Sequence, residues 1–336
     1  MKMACAGVFL ALMLVSKVAD CAETALQAPG PQGPLKGTLL TPDAVSARQA
    51  PAVLIIPGSG PTDRDGNNPL GVKAAPYRLL AEALAQRGLS SVRIDKRGMF
   101  ASSGAIPDAN KVSIDDYAND VRAWVQVIQG ETGQPCVWLL GHSEGGLVAL
   151  AAARNPEGLC GLILVATPGR SLGDILRAQL RANPANAPLL AEAEGAISKL
   201  EGGSRVEVSS MHPALQRLFA PAVQDFLISS MRLDPVALIQ SYRGPVLLIQ
   251  GDKDLQVSVE DAQRLGRANA SARVVVLADV NHVLKTMDSS ARAANLAGYA
   301  DPGLPLAPGI VDAIVDVVQG AQQGTAESVK AGSVRH

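Results

Sequence analysis

Aromatic side chains are scarce in this 336-residue chain, with four Phe, four Tyr and two Trp making up 3% of it. So few flat rings leave little material for stacking nucleobases. An excess of charge of either sign is missing too. The 30 Lys and Arg stand against 31 Asp and Glu, a formal net charge of −1, which offers no charge-driven attraction to nucleic acid or anionic lipid. The four Cys and four His form no cluster with zinc-ligand spacing, and no His-Glu-x-x-His occurs, so no metal is expected. One long apolar run is present, residues 3–15 behind the single Lys2. It is too short to span a bilayer comfortably and fits a secretory signal over residues 1–22, cleaved near Cys21 or Ala22. This predicts a periplasmic or secreted protein with no stable membrane association after cleavage.

What is present is a globular composition: 47% hydrophobic and 18% charged residues, enough to bury a large core. After residues 23–35, Pro/Gly/Gln-rich from 28 to 34 and read as a leader or linker, strand-length apolar runs alternate with helix-length segments. The strand candidates are 52–57, 89–94, 136–140, 162–166, 246–250 and 273–277, with 36–41 as a possible edge. Such alternation predicts an α/β fold, a mostly parallel sheet flanked by helices. Each run is short and continuous, so both faces of every strand are expected to be buried. Pro76 and Gly88 bracket one helix, and Ser113 with Asp116 and Ser258 with Asp261 form capping boxes before two others. The rhythm breaks over residues 168–243, which read as a helical cap inserted into a core of residues 36–167 and 244–322. A last helix at 309–319 is followed by a tail, 323–336, expected to be disordered. Signal cleavage leaves Cys136 and Cys160, each at the start of a predicted strand. Whether they pair is left open.

The chemistry points to Gly141-His142-Ser143-Glu144-Gly145, which lies between the apolar strand at 136–140 and an apolar helix start. A strand turning sharply into a helix needs small residues beside the tip. Ser143 at that tip is the candidate nucleophile, and the backbone N–H of Glu144, at the helix N-terminus, points to where an oxyanion would form. A serine hydroxyl needs a base, and the base needs a carboxylate. Of His142, His212, His282 and His336, chain order selects His282, in the loop after the last strand. The acid belongs in Gly251-Asp252-Lys253-Asp254, where either aspartate qualifies and one is a turn carboxylate.

These residues resemble the α/β-hydrolase superfamily over nearly all of the mature chain. The string Ile56-Pro57-Gly58-Ser59-Gly60-Pro61-Thr62-Asp63-Arg64-Asp65-Gly66-Asn67 is similar to bacterial esterases related to serine aminopeptidases, as are Arg93-Ile94-Asp95-Lys96-Arg97-Gly98 and Gln250-Gly251-Asp252-Lys253-Asp254. The resemblance implies Asp254 as the triad acid, three residues after the strand-ending glycine. It also implies the backbone amide of Ser59 as second oxyanion donor, with Gly58 as the neighbouring alternative. Met99-Phe100-Ala101 departs from the family pattern and suggests a bulkier loop beside the pocket. Asp63, Arg64, Asp65, Asp95 and Arg97 read as loop-bracing charges. No Gly-Lys-Ser/Thr follows Gly58, and the dinucleotide spacing is lacking, so neither ATP nor NAD is expected and no cofactor is implied.

The expected activity is hydrolysis of small or short-chain carboxylic esters through an acyl-enzyme on Ser143, with a small-molecule acyl substrate. The same constellation also serves a peptidase, an aminopeptidase-like enzyme or an acyltransferase, and a non-catalytic exported binding protein is the rival from another class. Oligomeric state is not readable from the sequence.

Overall fold

The computed structural model describes residues 22–42, 50–288 and 291–333. The signal segment, apart from Ala22, and His336 lie outside the described residues. Eight strands form one sheet: β1 (Ala22–Ala28), β2 (Leu35–Thr41), β3 (Ala52–Ile56), β4 (Ser90–Ile94), β5 (Val137–His142), β6 (Leu159–Val165), β7 (Val246–Gly251) and β8 (Ala272–Leu277). Their order is β1-β2-β4-β3-β5-β6-β7-β8. The pairs from β4 through β8 are parallel, whereas β1 and β2 run antiparallel at one edge.

The inner strands β3, β5, β6 and β7 read as largely apolar runs because helices cover both faces. Along β3, Ala52, Leu54 and Ile56 pack toward α2 (Ile114–Thr132) and α3 (Glu144–Ala152), while Val53 and Ile55 pack toward α1 (Pro76–Gln86) and α11 (Ile310–Ser333). Both expected capping boxes form, Ser113 with Asp116 before α2 and Ser258 with Asp261 before α9 (Val259–Ala268). Between β6 and β7 come α4 (Leu172–Ala182), α5 (Leu190–Glu201), α6 (Pro213–Leu218), α7 (Gln224–Met231) and α8 (Pro235–Ser241). The middle of this segment has an apolar cluster of its own, containing Ile197, Leu200, Leu215, Phe219 and Met231. Ile239 of α8 and the following Tyr242 instead join the main core. A short helix α10 (Arg292–Ala300), not foreseen in the sequence, follows β8.

Three expectations need correction. Residues 22–28, placed in the signal and leader segments, form β1 in register with β2. Only Leu26 and Ala28 of that strand are buried, so its composition carries almost no core signal. The 323–336 tail is helical as far as Ser333, where α11 runs on from Ile310 without meeting a proline. Finally, β8 is not buried on both faces. It closes the sheet as an edge strand, and Val274 and Val276 are exposed.

Cys136 and Cys160 are joined in a disulfide with Cα atoms 5.1 Å apart. It staples the N-terminal ends of neighbouring β5 and β6. The Ser143 turn lies beyond the opposite end of β5.

Candidate active site

Ser143 stands between β5 and α3 with φ 55° and ψ −122°, a left-handed conformation that a non-glycine residue keeps only where the surroundings hold it. Hydrogen bonds from Ser143 N–H to the Val165 carbonyl and from Gly146 N–H to the Ser143 carbonyl do so, both at 2.9 Å. The flanking glycines are sterically required. A Cβ on Gly145 would sit 2.3 Å from the Ile56 carbonyl oxygen, and one on Gly141 would sit 2.3 Å from that of Gly145. The turn is therefore packed against the end of β3, beside the loop that begins at Pro57.

Asp254 follows β7 and His282 follows β8. His282 Nδ1 donates to Asp254 Oδ2 at 2.7 Å. Asp254 also accepts from the amides of Gln256 and Val257 through Oδ1 (2.7 and 3.0 Å) and from Gln250 Nε2 through Oδ2 (3.2 Å). Burial alone would raise its pKa, but the His282 ring and the donated hydrogen bonds hold the carboxyl below its ordinary value. Asp252 instead accepts from the Asp279 amide in an exposed turn. The two aspartates left open by the sequence thus have separate surroundings, and only Asp254 meets the imidazole. With Nδ1 engaged, Nε2 of His282 is the nitrogen free to exchange a proton. His282 and Ser143 line one cavity.

Ser59, Ser143 and Glu144 line a second, adjoining cavity. Neither the Ser59 nor the Glu144 amide has a hydrogen-bond partner among the described residues. Gly58 N–H, the alternative donor, is occupied: it donates to the Tyr77 hydroxyl oxygen at 3.1 Å. Tyr77 contacts His142 Nδ1 at 2.8 Å, and His142 Nε2 lies 2.8 Å from the His282 carbonyl. Because that carbonyl can only accept, Nε2 of His142 carries the hydrogen and Nδ1 accepts from the Tyr77 hydroxyl. Burial and the nearby His282 ring push the His142 pKa down to about 3, so its ring is neutral. The relay joins the loop after β3, helix α1, the Ser143 turn and the His282 loop.

Of the other histidines, His212 caps α6 by accepting from the Ala214 amide and takes no part in the site. The charges of the loop after β3 brace it as expected. Arg64 donates to Asp95 through its amide, Nε and Nη2, and Arg97 docks on Asp120 and Asp116 of α2.

A sequence profile of the alpha/beta hydrolase family matches residues 53–295, most of the chain. The chain belongs to the alpha/beta hydrolase family. Among curated proteins, this hydrolase is 26% identical over 243 residues to esterase EstD of Thermotoga maritima, a match covering 70% of the present chain and 54% of that one. The chain thus spans about half the length of the curated relative it matches. Among solved structures, this hydrolase is similar to Est1E from Butyrivibrio proteoclasticus bound to ferulic acid, with TM-score 0.55, 15% identity and coverage of 89% and 98% of the two chains. It is also similar to a thermophilic esterase from Thermogutta terrifontis, with TM-score 0.53, 19% identity and coverage of 89% and 99%. At such identities these two likenesses concern the fold.

The two cavities of this alpha/beta hydrolase differ in character. The larger, about 230 Å³, is walled by Leu147, Leu172, Ile175, Leu176 and Val257, so α4 of the inserted segment supplies much of its apolar surface. The smaller, about 80 Å³, is lined by Thr62, Asn68, Tyr77, His282 and Tyr299. Met99, Phe100 and Ala101 line neither, contrary to the expectation of a bulkier pocket loop. The Ala101 amide instead bonds Asp95, and Phe100 faces solvent. The sequence reading missed Lys96, Tyr77 and Gln250, all buried within the site's hydrogen-bond network.

Proposed function

We propose that this protein is an exported serine hydrolase that cleaves small or short-chain carboxylic esters through Ser143, His282 and Asp254. The observation that carries the reading is the 2.7 Å contact between His282 Nδ1 and Asp254, beside a cavity shared with a serine on a strained strand-to-helix turn. The Ser143 hydroxyl oxygen attacks the acyl carbonyl carbon while His282 Nε2 takes its proton. Asp254 holds the imidazole in the required tautomer and stabilises its charged form. The amides of Ser59 and Glu144 receive the oxygen that becomes negative. His282 returns the proton to the departing alcohol, then takes one from the water that attacks the acyl-enzyme and passes it to the Ser143 oxygen as the acid leaves.

The acyl group occupies the apolar cavity under α4, and the alcohol leaves through the smaller polar one. Similarity to a curated protein named as an esterase supports ester over amide chemistry. Export is supported by the Cys136–Cys160 disulfide, a bond that persists in oxidising compartments.

Assays on p-nitrophenyl esters of increasing acyl length, alongside aminoacyl anilides, test the reading. Short acyl esters should be the best substrates, anilides should be inert, and Ser143→Ala should abolish turnover and fluorophosphonate labelling. Ester turnover persisting in Ser143→Ala would overturn the assignment.

A further inference from the structure

Beside the residues of both proposed oxyanion donors lies a buried lysine that the triad does not use. Lys96, at the end of β4, is 6% exposed, and its Nζ donates to the Gly58 carbonyl oxygen at 2.7 Å. That carbonyl belongs to the same peptide group as the Ser59 N–H. A cation on the oxygen of a planar amide draws electron density from its nitrogen, making the N–H a stronger donor. The ammonium also lies 3.6 Å from Glu144 Oε1, on the residue whose own amide is the other proposed donor. On its remaining side it sits over the Tyr117 ring, 5.4 Å from the centroid.

We propose that Lys96 is a positioning residue of the oxyanion hole, polarising the Gly58–Ser59 peptide and fixing it relative to the Glu144 turn. The proposal rests on the serine-hydrolase reading above. Burial away from water gives the Lys96 hydrogen bond more effect than a surface lysine would have. Its neighbours point the same way. Gly58 C=O is tied to Lys96, and Gly58 N–H, in the preceding peptide group, is tied to Tyr77, so both peptide groups that meet at Gly58 are anchored beside the cavity that Ser59 lines. Burial lowers the Lys96 pKa, and the Glu144 carboxylate opposes that effect.

A donor that matters only once negative charge has developed affects turnover more than substrate binding. Lys96→Met removes the charge at similar length. The double variant Lys96→Met with Glu144→Gln does so without leaving a carboxylate unpaired. Each is compared with wild type below its own melting temperature, using a short-chain p-nitrophenyl ester and a boronic acid that forms a tetrahedral adduct with serine. The expected result in both variants is a kcat about 10–100-fold lower with KM within about twofold, and boronate affinity weakened in proportion to kcat. Unchanged kcat in a folded variant, or a fall in kcat with boronate affinity retained, overturns the proposal. Ser143→Ala, run in parallel, separates the two readings. If it still turns over ester, the serine mechanism fails; if it is silent while Lys96→Met is unimpaired, only the role of Lys96 fails.

Discussion

The end of the sheet that carries Ser143 and the inserted helices between β6 and β7 use polar groups in opposite ways. At the strand ends Asp254, His142, Lys96 and Asp95 are all buried, and each is held by directional hydrogen bonds to backbone or to a partner side chain. In the insertion, Arg181 with Glu194 and Arg205 with Asp225 are solvent-exposed ion pairs, while cohesion comes from an apolar cluster around Phe219 and Leu215. Buried groups that lose a partner pay the full desolvation penalty, whereas exposed pairs exchange one another for water at little net gain. Position around Ser143 is therefore strongly specified. The insertion, by contrast, can change its surface while keeping its place over the cavity.

The sharpest way to break this comparison is within one loop. Asp254→Asn should lower kcat about 10³–10⁴-fold, because the amide favours the wrong His282 tautomer, while Asp252→Asn should leave kcat within about twofold. Equal losses in the two variants would show that the buried and exposed carboxylates are not distinct.

Acid stability tests the relay next. The His142 pKa of about 3 lies below its ordinary 6.5. As pH falls through 6.5 the unfolded chain binds a proton that the folded protein refuses until about pH 3. Stability is thus complete above 6.5 and declines between these values, by on the order of 5 kcal/mol in total. Urea midpoints measured from pH 7 to pH 4 should fall steeply in wild type and more gently in His142→Gln; parallel slopes would contradict the burial argument.

A smaller effect is expected at the far end of the sheet. Replacing Cys136 and Cys160 by Ser should cost about 3 kcal/mol through the 24-residue separation they close, lowering the melting temperature and leaving kcat unaltered. A changed kcat would mean that the two ends of β5 are coupled. Smallest of all, Arg205→Ala should move stability by no more than about 0.5 kcal/mol. A loss of several kcal/mol there would erase the contrast between insertion and site.

Much of this organisation was readable before any coordinates. The inner strands announced themselves as apolar runs, the capping boxes marked two helix starts, and Gly141-His142-Ser143-Glu144-Gly145 between strand and helix pointed to the turn. What escaped notice had weak local signals. β1 offers only Leu26 and Ala28 to the interior. The choice between Asp252 and Asp254 could be made by analogy but not by spacing. Chain order passes over His142, and nothing local marks its role, because its partners, Tyr77 and the His282 carbonyl, are 65 and 140 positions away.

By itself the sequence determined the local terms: which runs are apolar enough to be buried on two faces, where glycine lets a strand turn into a helix, and in what order serine, acid and histidine follow along the chain. Only the tertiary structure decided which aspartate meets the imidazole, which amides stay unpaired, and that Lys96 reaches the carbonyl behind Ser59. Those outcomes depend on the register of parallel strands, which brings loops distant in sequence to one end of the sheet. No short-range pattern encodes that distance, because parallel pairing is set by the packing of the helices that cross between the strands.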